Sequence, residues 1–133
     1  MAKDFKLVGT DDIETKLCTI ATGTVIEAGD LLAMSSGLIV KAGDASAKIA
    51  WAPEANASGE VKIAVTVGND FLLSGTSTDN FAVIDKGTVC DVSSGEIDIN
   101  TTSTDVLKVD ISTTAGTVDS KENVRVKINK PLF

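Results

Sequence analysis

The chain has 133 residues, enough for one domain that buries roughly two thirds of the surface of its unfolded chain. Its net charge of −7, from 12 basic and 19 acidic residues, argues against binding to nucleic acid or to an anionic membrane. Because the sequence contains no His, it excludes Ser-His and Cys-His catalytic sites and the commonest transition-metal ligand.

The N-terminal residues have the pattern of an extended strand, because Phe5 and Leu7 alternate with charged residues. One interpretation is an extended arm over residues 1–15 that adds to a sheet edge of a partner protein. Phe5, Leu7 and Val8 are then candidate contacts with that partner. The alternative is that this segment is the first strand of the body.

Alternation of apolar and polar residues predicts strands along the rest of the chain. The clearest patterns cover residues 61–67, 97–99, 107–111 and 124–128. Clusters of Gly, Asn, Asp and Ser between them favour tight turns. Only residues 11–17 and 44–50 have a helix-like pattern, and both segments are short. We predict at least eight strands, no substantial helix and therefore an all-β fold.

One stretch of the chain is repeated. VIEAGDLLAMSSG, residues 25–37, recurs as VIDKGTVCDVSSG, residues 83–95, with six identities in thirteen positions. In each copy we predict a Val-Ile strand end, an acidic residue, a glycine, and an apolar strand that turns back at Ser-Ser-Gly. Gly29 and Gly87 are expected to adopt a positive φ, and Asp30 to brace its turn.

The similarity continues between residues 59–65 and 122–128, with five extra residues assigned to the loop 113–121. We therefore predict a single β domain, residues 16–133, made of pseudo-repeats at about 16–72 and 73–133. Pairing the halves about a pseudo-twofold axis would close a small barrel or a β-tulip or sandwich. The alternative is that two hairpins share turn chemistry by chance.

Few residues suggest chemistry. Glu27 and Asp85 occupy matching positions and suggest an acid pair for hydrolysis, but bracing of their own turns is the commoner role. Trp51 is a candidate sugar platform or, more often, a core residue. Cys18 and Cys90 lie in alternating segments, which favours buried structural thiols.

Oxygen ligands for a metal are present but lack the spacing of a calcium loop. They are Asp98, Asn100, Asp105 and Asp110. We expect no metal site, no cofactor and no catalytic residue. No segment has the pattern of a signal peptide or a membrane span, so we expect synthesis in the cytoplasm.

The segment TVIEAGDLLAMSSGLIVKAGDASAKIAWAPEANASGEVKIAV, residues 24–65, resembles the decoration or cement proteins of tailed-phage capsids. These proteins also run from an apolar strand through an "aGDll" turn and a short hairpin into an Ala-rich segment. The wider similarity is to lambda-type head decoration proteins, which have a small β-rich body after a flexible N-terminal arm.

The resemblance implies a structural protein rather than an enzyme. Such proteins bind the outer surface of the expanded capsid, usually as homotrimers, and clamp neighbouring major capsid protein subunits. Contact with nucleic acid or membrane is not expected. The alternatives are a fibre or receptor-binding β module of a phage particle and, less in keeping with the residues, a small β-barrel hydrolase.

Overall fold

The computed structural model describes residues 5–8, 13–56, 61–79, 82–112 and 124–133. These ranges contain eleven β-strands, one 3-10 turn (Val83–Asp85) and no α-helix, so the predicted all-β fold is confirmed. The strands are β1 (Lys6–Leu7), β2 (Thr15–Thr19), β3 (Leu31–Ser35), β4 (Leu38–Lys41), β5 (Ala50–Trp51), β6 (Lys62–Thr66), β7 (Leu73–Gly75), β8 (Val89–Ser93), β9 (Glu96–Asp98), β10 (Leu107–Val109) and β11 (Val124–Ile128). The helix-like pattern of residues 11–17 does not give a helix at residues 15–17, because these residues belong to β2 and pair with β6.

The strands form three antiparallel sheets. Their orders are β1-β7-β11-β10-β8-β9, β2-β6 and β4-β3-β5. Two isolated parallel bridges, Ile20–Ile39 and Ser77–Ile97, add contacts between segments of the same half. Because these contacts are single bridges rather than ladders, the described strands do not close a barrel, and the arrangement fits the sandwich or tulip alternative.

The two copies of the sequence repeat form matching hairpins. β3 and β4 are joined at Ser36-Gly37, with φ angles of 51° and 81°. β8 and β9 are joined at Ser94-Gly95, with φ angles of 49° and 79°. Two consecutive positive φ values match the twist of paired strands, so the predicted turn is found in both copies. The predicted Val-Ile strand ends are wrong, because residues 25–26 lie outside any strand and 83–85 form the 3-10 turn.

The correspondence extends to a third strand in each half. Leu32 of β3 pairs with Ala50 of β5, as Cys90 of β8 pairs with Leu107 of β10. A difference follows at the next strand. β10 forms a ladder with β11, whereas Trp51 of β5 donates its backbone N–H to the Thr66 hydroxyl of β6 at 2.8 Å. The predicted extra residues at 113–121 lie outside the described residues.

Two apolar clusters form the core. The smaller one lies in the first half and consists of Cys18, Ile20, Ile26, Leu32, Ile39, Ala50, Ala52, Ile63 and Val65. The larger one lies mainly in the second half, but it also contains Phe5, Leu31, Ile49 and Trp51. β5 is therefore buried on both faces and holds the two halves in one body.

The halves do not pack as a symmetric pair. Leu31 lies opposite Trp51 in the first half, and both side chains are buried in the larger cluster. At the matching place in the second half, Val89 lies opposite Lys108, and these are half-buried and exposed. The pseudo-twofold axis stays a prediction, and at this face the matching positions are buried unequally. In the first half, Leu31 and Trp51 pack against the core of the second half. In the second half, Val89 and Lys108 remain closer to the surface.

The C-terminal residues return to the first half. Leu132 donates its backbone N–H to the Ile49 carbonyl at 2.8 Å, and Pro131 forms a parallel bridge with Ile49. Leu132 and Phe133 pack against the smaller cluster. Leu132 and Phe133, near the C-terminus, thus pack on the first half of the chain. Phe5, near the N-terminus, packs in the larger cluster, which lies mainly in the second half. The division into pseudo-repeats 16–72 and 73–133 remains a prediction.

Candidate interaction surfaces

The N-terminal segment contributes its aromatic ring to the core. Phe5 is 2% exposed, its N–H donates to the Gly29 carbonyl at 3.0 Å, and its carbonyl accepts the Trp51 indole N–H at 3.0 Å. A Cβ on Gly75 would lie 2.5 Å from the Phe5 ring, so the glycine leaves room for it. The prediction that Phe5 contacts a partner is therefore wrong, because the ring is already buried within this chain.

Leu7 and Val8 remain closer to the surface. β1 is the outermost strand of the six-stranded sheet, where Leu7 lies opposite Leu73 and packs against the larger cluster while staying half-buried. Val8 donates its N–H to the Leu72 carbonyl at 3.0 Å and is also half-buried. Residues 5–8 thus contribute the first strand, β1, to the body. Residues 1–4 and 9–12 of the predicted arm lie outside the described residues.

The turn at Gly29 and Asp30 is built as the sequence predicts. Gly29 has a φ of 96°, and its N–H donates to the Ala52 carbonyl at 2.7 Å. The Asp30 carboxylate accepts the Glu27 N–H at 2.8 Å and lies 3.4 Å from the Lys41 ammonium. These contacts satisfy the turn locally, so the carboxylate has a structural role.

The matching turn in the second half uses a different acidic residue. Gly87 has a φ of 76°, and its N–H donates to the Val109 carbonyl at 2.8 Å, as Gly29 does to Ala52. The Asp85 carboxylate accepts the Ala82 N–H at 2.8 Å. Asp85 therefore braces its own turn, as one of the two interpretations predicted. In the first half, the carboxylate that accepts a backbone N–H of its turn is that of Asp30 rather than that of Glu27.

Both cysteines are buried thiols. Cys90 is fully buried, and desolvation together with the nearby carboxylate of Asp91 raises its pKa to about 12. Burial also raises the pKa of Cys18, although Lys16 acts in the opposite direction. A thiol with a raised pKa is a poor nucleophile at neutral pH. The predicted structural role of both residues is confirmed by their burial.

Asp91 is a buried carboxylate that the sequence patterns did not single out. It is 3% exposed, and its oxygens accept the N–H groups of Ser103, Thr104 and Asp105 at 2.9–3.1 Å. Burial raises its pKa, but these hydrogen bonds outweigh that effect, so the pKa of Asp91 lies below its ordinary value. The sequence repeat contains a signal for this residue: the matching position in the first half is Ala33, so the carboxylate at position 91 departs from the apolar pattern of the repeat.

The other predicted chemical candidates have structural surroundings. Trp51 is 7% exposed and belongs to the core, as the alternative to a sugar platform predicted. The Asn100 amide donates to the Asp79 carboxylate, and the Ser112 hydroxyl donates to Asp110. Among the described residues, no group of three or more His, Cys, Asp or Glu side chains is placed to hold a metal ion.

Large apolar side chains reach the surface in both halves. They are Leu17, Val25, Met34, Val61, Ile84 and Ile111, and Ile84 and Ile111 are 83% and 73% exposed. Leu17 stands with Ala64 on the outer face of the β2–β6 sheet, whose inner face carries Cys18 and Ile63. Surfaces of this kind can contact other proteins.

Comparisons with protein-family models, curated proteins and solved structures found no significant match. In the described part of the chain, no helix is long and apolar enough to cross a membrane.

Proposed function

We propose that this protein binds the outside of an expanded phage capsid and stabilises it by clamping neighbouring major capsid protein subunits. The supporting observation is the fold of residues 24–56 and 61–65, the described part of the segment that carries the resemblance to decoration proteins. The positive φ of Gly29, the Asp30 brace and the β3–β4 hairpin form the local structure expected of the "aGDll" turn and the short hairpin after it.

The proposed activity is mechanical and needs no catalytic group. Cys90, Asp85 and Asp91, which carry reactive side chains, are engaged in packing or in backbone hydrogen bonds. A body with two fused cores is suited to transmit load between the subunits that it contacts. The protein then acts as a structural component on the outer capsid surface after synthesis in the host cytoplasm.

Self-association completes the proposal. A homotrimer, the state usual in the proteins that the sequence resembles, would present three copies of one contact to the capsid. Three weak contacts on one rigid particle bind strongly, because each contact raises the effective concentration of the others. On this chain, the exposed edge of β1 with Leu7 and Val8 is a candidate contact surface.

Co-sedimentation tests the proposal directly. The purified protein is mixed with empty capsids assembled from the major capsid protein of the same genome, in expanded and unexpanded form. We expect saturable binding to expanded capsids and a higher temperature of capsid disruption in their presence. Binding to neither form, or an unchanged disruption temperature at saturation, would contradict the proposed function. Binding to host-cell envelopes without binding to capsids would favour the fibre or receptor-binding alternative.

A further inference from the structure

Four basic side chains share the outer face of the six-stranded sheet. Ser74 of β7 lies opposite Lys6 of β1 on one side and opposite Arg125 of β11 on the other. Lys127 follows Arg125 by two residues and lies opposite Lys108 of β10. Residues directly opposite in an antiparallel ladder point to the same face, as do residues two apart in one strand. We call the surface formed by Lys6, Lys108, Arg125 and Lys127 the basic face.

The basic face carries a charge opposite to that of the whole chain. A carboxylate on this face, that of Asp110, accepts hydrogen bonds from Ser112, and the Ser112 hydroxyl is the main cause of its lowered pKa. Lys127 and Arg125 lower that pKa further, so they lie close to Asp110. The acidic residues of β9 lie two strands away from β10. Among the described residues, the three lysines of this face outnumber the Asp110 carboxylate, on a protein of net charge −7.

Two lysines at the centre of this face lie directly opposite each other. Lys108 and Lys127 are directly paired across β10 and β11, and both are exposed. Like charges in directly opposed positions destabilise a sheet. The pair borders a cavity of about 240 Å³ that Gly87, Asp110 and Ile111 also line. Asp110 accepts hydrogen bonds from Ser112, so a second carboxylate entering the cavity would relieve the repulsion that remains between the two lysines.

An exposed apolar side chain lines the same cavity. Ile111 lines it and is 73% exposed. Gly87, which also lines the cavity, follows the 3-10 turn that carries the 83% exposed Ile84, and its N–H donates to the Val109 carbonyl. Cations beside apolar side chains complement a protein segment that carries both carboxylates and an apolar residue. A phosphate backbone offers no partner for the isoleucines.

The first half supplies an internal precedent for docking at this face. Lys108 matches Trp51, and Val89 matches Leu31, in the two aligned hairpins. Trp51 and Leu31 are buried against the core of the second half. The same face of the repeat is thus an intramolecular interface in one copy and a charged, accessible surface in the other.

We infer that the basic face is a docking surface for an acidic protein segment, whose carboxylates bind Lys108 and Lys127 and whose apolar side chain packs on Ile111. This inference deepens the proposed function, on which it rests for the identity of the partner: the segment would belong to the major capsid protein. The chemistry of the segment follows from the basic face alone.

A charge-reversal pair tests the docking surface. The variant K108E/K127E is compared with K48E/K62E, in which exposed lysines elsewhere on the surface receive the same change in net charge. Thermal unfolding confirms that both variants fold. In co-sedimentation with expanded capsids, we expect K48E/K62E to bind as the parent protein does and K108E/K127E to bind at least tenfold more weakly. The affinity of the parent should also fall as salt concentration rises. Equal binding by all three proteins would overturn the docking surface and leave the proposed function intact.

A second measurement tests the inference if none of these three proteins binds capsids. An acidic peptide of alternating Asp and Leu is titrated into the isotope-labelled protein, and amide NMR shifts are recorded. We expect shifts around residues 84–87, 108–111 and 125–127, absent in K108E/K127E and absent with the same peptide carrying Asn for Asp. Equal shifts with an oligonucleotide or with inorganic phosphate would overturn the protein-segment assignment. If light scattering showed that K108E/K127E only dissociates an oligomer of this chain, the occupant would be a second copy, and the inference would be wrong.

Discussion

Replacing Phe5 by alanine should remove a large part of the stability of the whole protein. The ring is 2% exposed and fills the space left by Gly75 beside the larger cluster. The residue lies four positions after the first sequence position, where a free arm would tolerate any substitution. The two interpretations of the N-terminal segment therefore predict opposite outcomes for one mutation.

The size of the effect follows from the buried area. A buried phenylalanine removes roughly 150–250 Å² from water, worth about 4–6 kcal/mol at roughly 25 cal/mol per Å². Measured Phe→Ala substitutions in cores cost about 3–5 kcal/mol. A domain of this size has a free energy of unfolding of roughly 5–15 kcal/mol. Phe5→Ala should therefore cost about 3–5 kcal/mol, a third or more of the total in many cases.

Urea unfolding followed by tryptophan fluorescence measures this cost. Trp51 is the single tryptophan, and its indole N–H is bonded to the Phe5 carbonyl, so its emission reports on this contact. The matched control is Leu17→Ala, at a side chain that is 65% exposed, which should change stability by about 0.5 kcal/mol or less. If Phe5→Ala unfolded at the same urea concentration as the parent, the packing argument would be refuted and the segment would be an arm.

Three further predictions concern the turns and the buried polar groups. Gly29→Val and Gly87→Val should each cost about 1–3 kcal/mol, because a β-branched residue is strained at φ angles of 96° and 76°; unchanged urea midpoints would contradict the turn assignment. The pKa of Asp91 is lowered on folding, so its stabilisation is present above about pH 4 and is lost as the pH falls through the folded-state pKa. Asp91→Asn should lose about 1–3 kcal/mol at pH 7 and show a weaker decline in acid; an identical pH profile would exclude this role. Cys90, with a pKa of about 12, should resist thiol reagents at pH 8 until the protein is unfolded in urea, and rapid labelling of the native protein would contradict its burial.

The turns were predictable because their chemistry is local. Ser36-Gly37 and Ser94-Gly95 reverse the chain within two residues, and glycine at the second position permits the left-handed backbone. The repeat added a second, independent copy of the same signal.

The position of the N-terminal strand was not predictable in the same way. Alternation of Phe5 and Leu7 indicates an extended segment, but it does not say which strand will pair with it. The partner, β7, lies more than sixty residues away in the sequence. The space for the Phe5 ring depends on Gly75, whose role cannot be recognised from its neighbours. Asp91 was missed for a related reason. The three N–H groups that donate to its carboxylate belong to residues 103–105, in a loop more than ten residues away in the sequence.

The charges of the basic face allow a simpler interpretation than docking. Lysines on an exposed sheet face also prevent association with other sheets, and a face that is an interface in one copy of the repeat needs protection in the other. The sign of the charge separates these two roles. Glutamate at positions 108 and 127 keeps the surface charged and soluble, and acidic residues serve solubility at least as well as lysines do. A purely protective role therefore predicts that K108E/K127E stays soluble and binds capsids or the acidic peptide as the parent does. Docking predicts that the variant stays equally soluble while its binding is lost, because only positive charge attracts the carboxylates of an acidic partner.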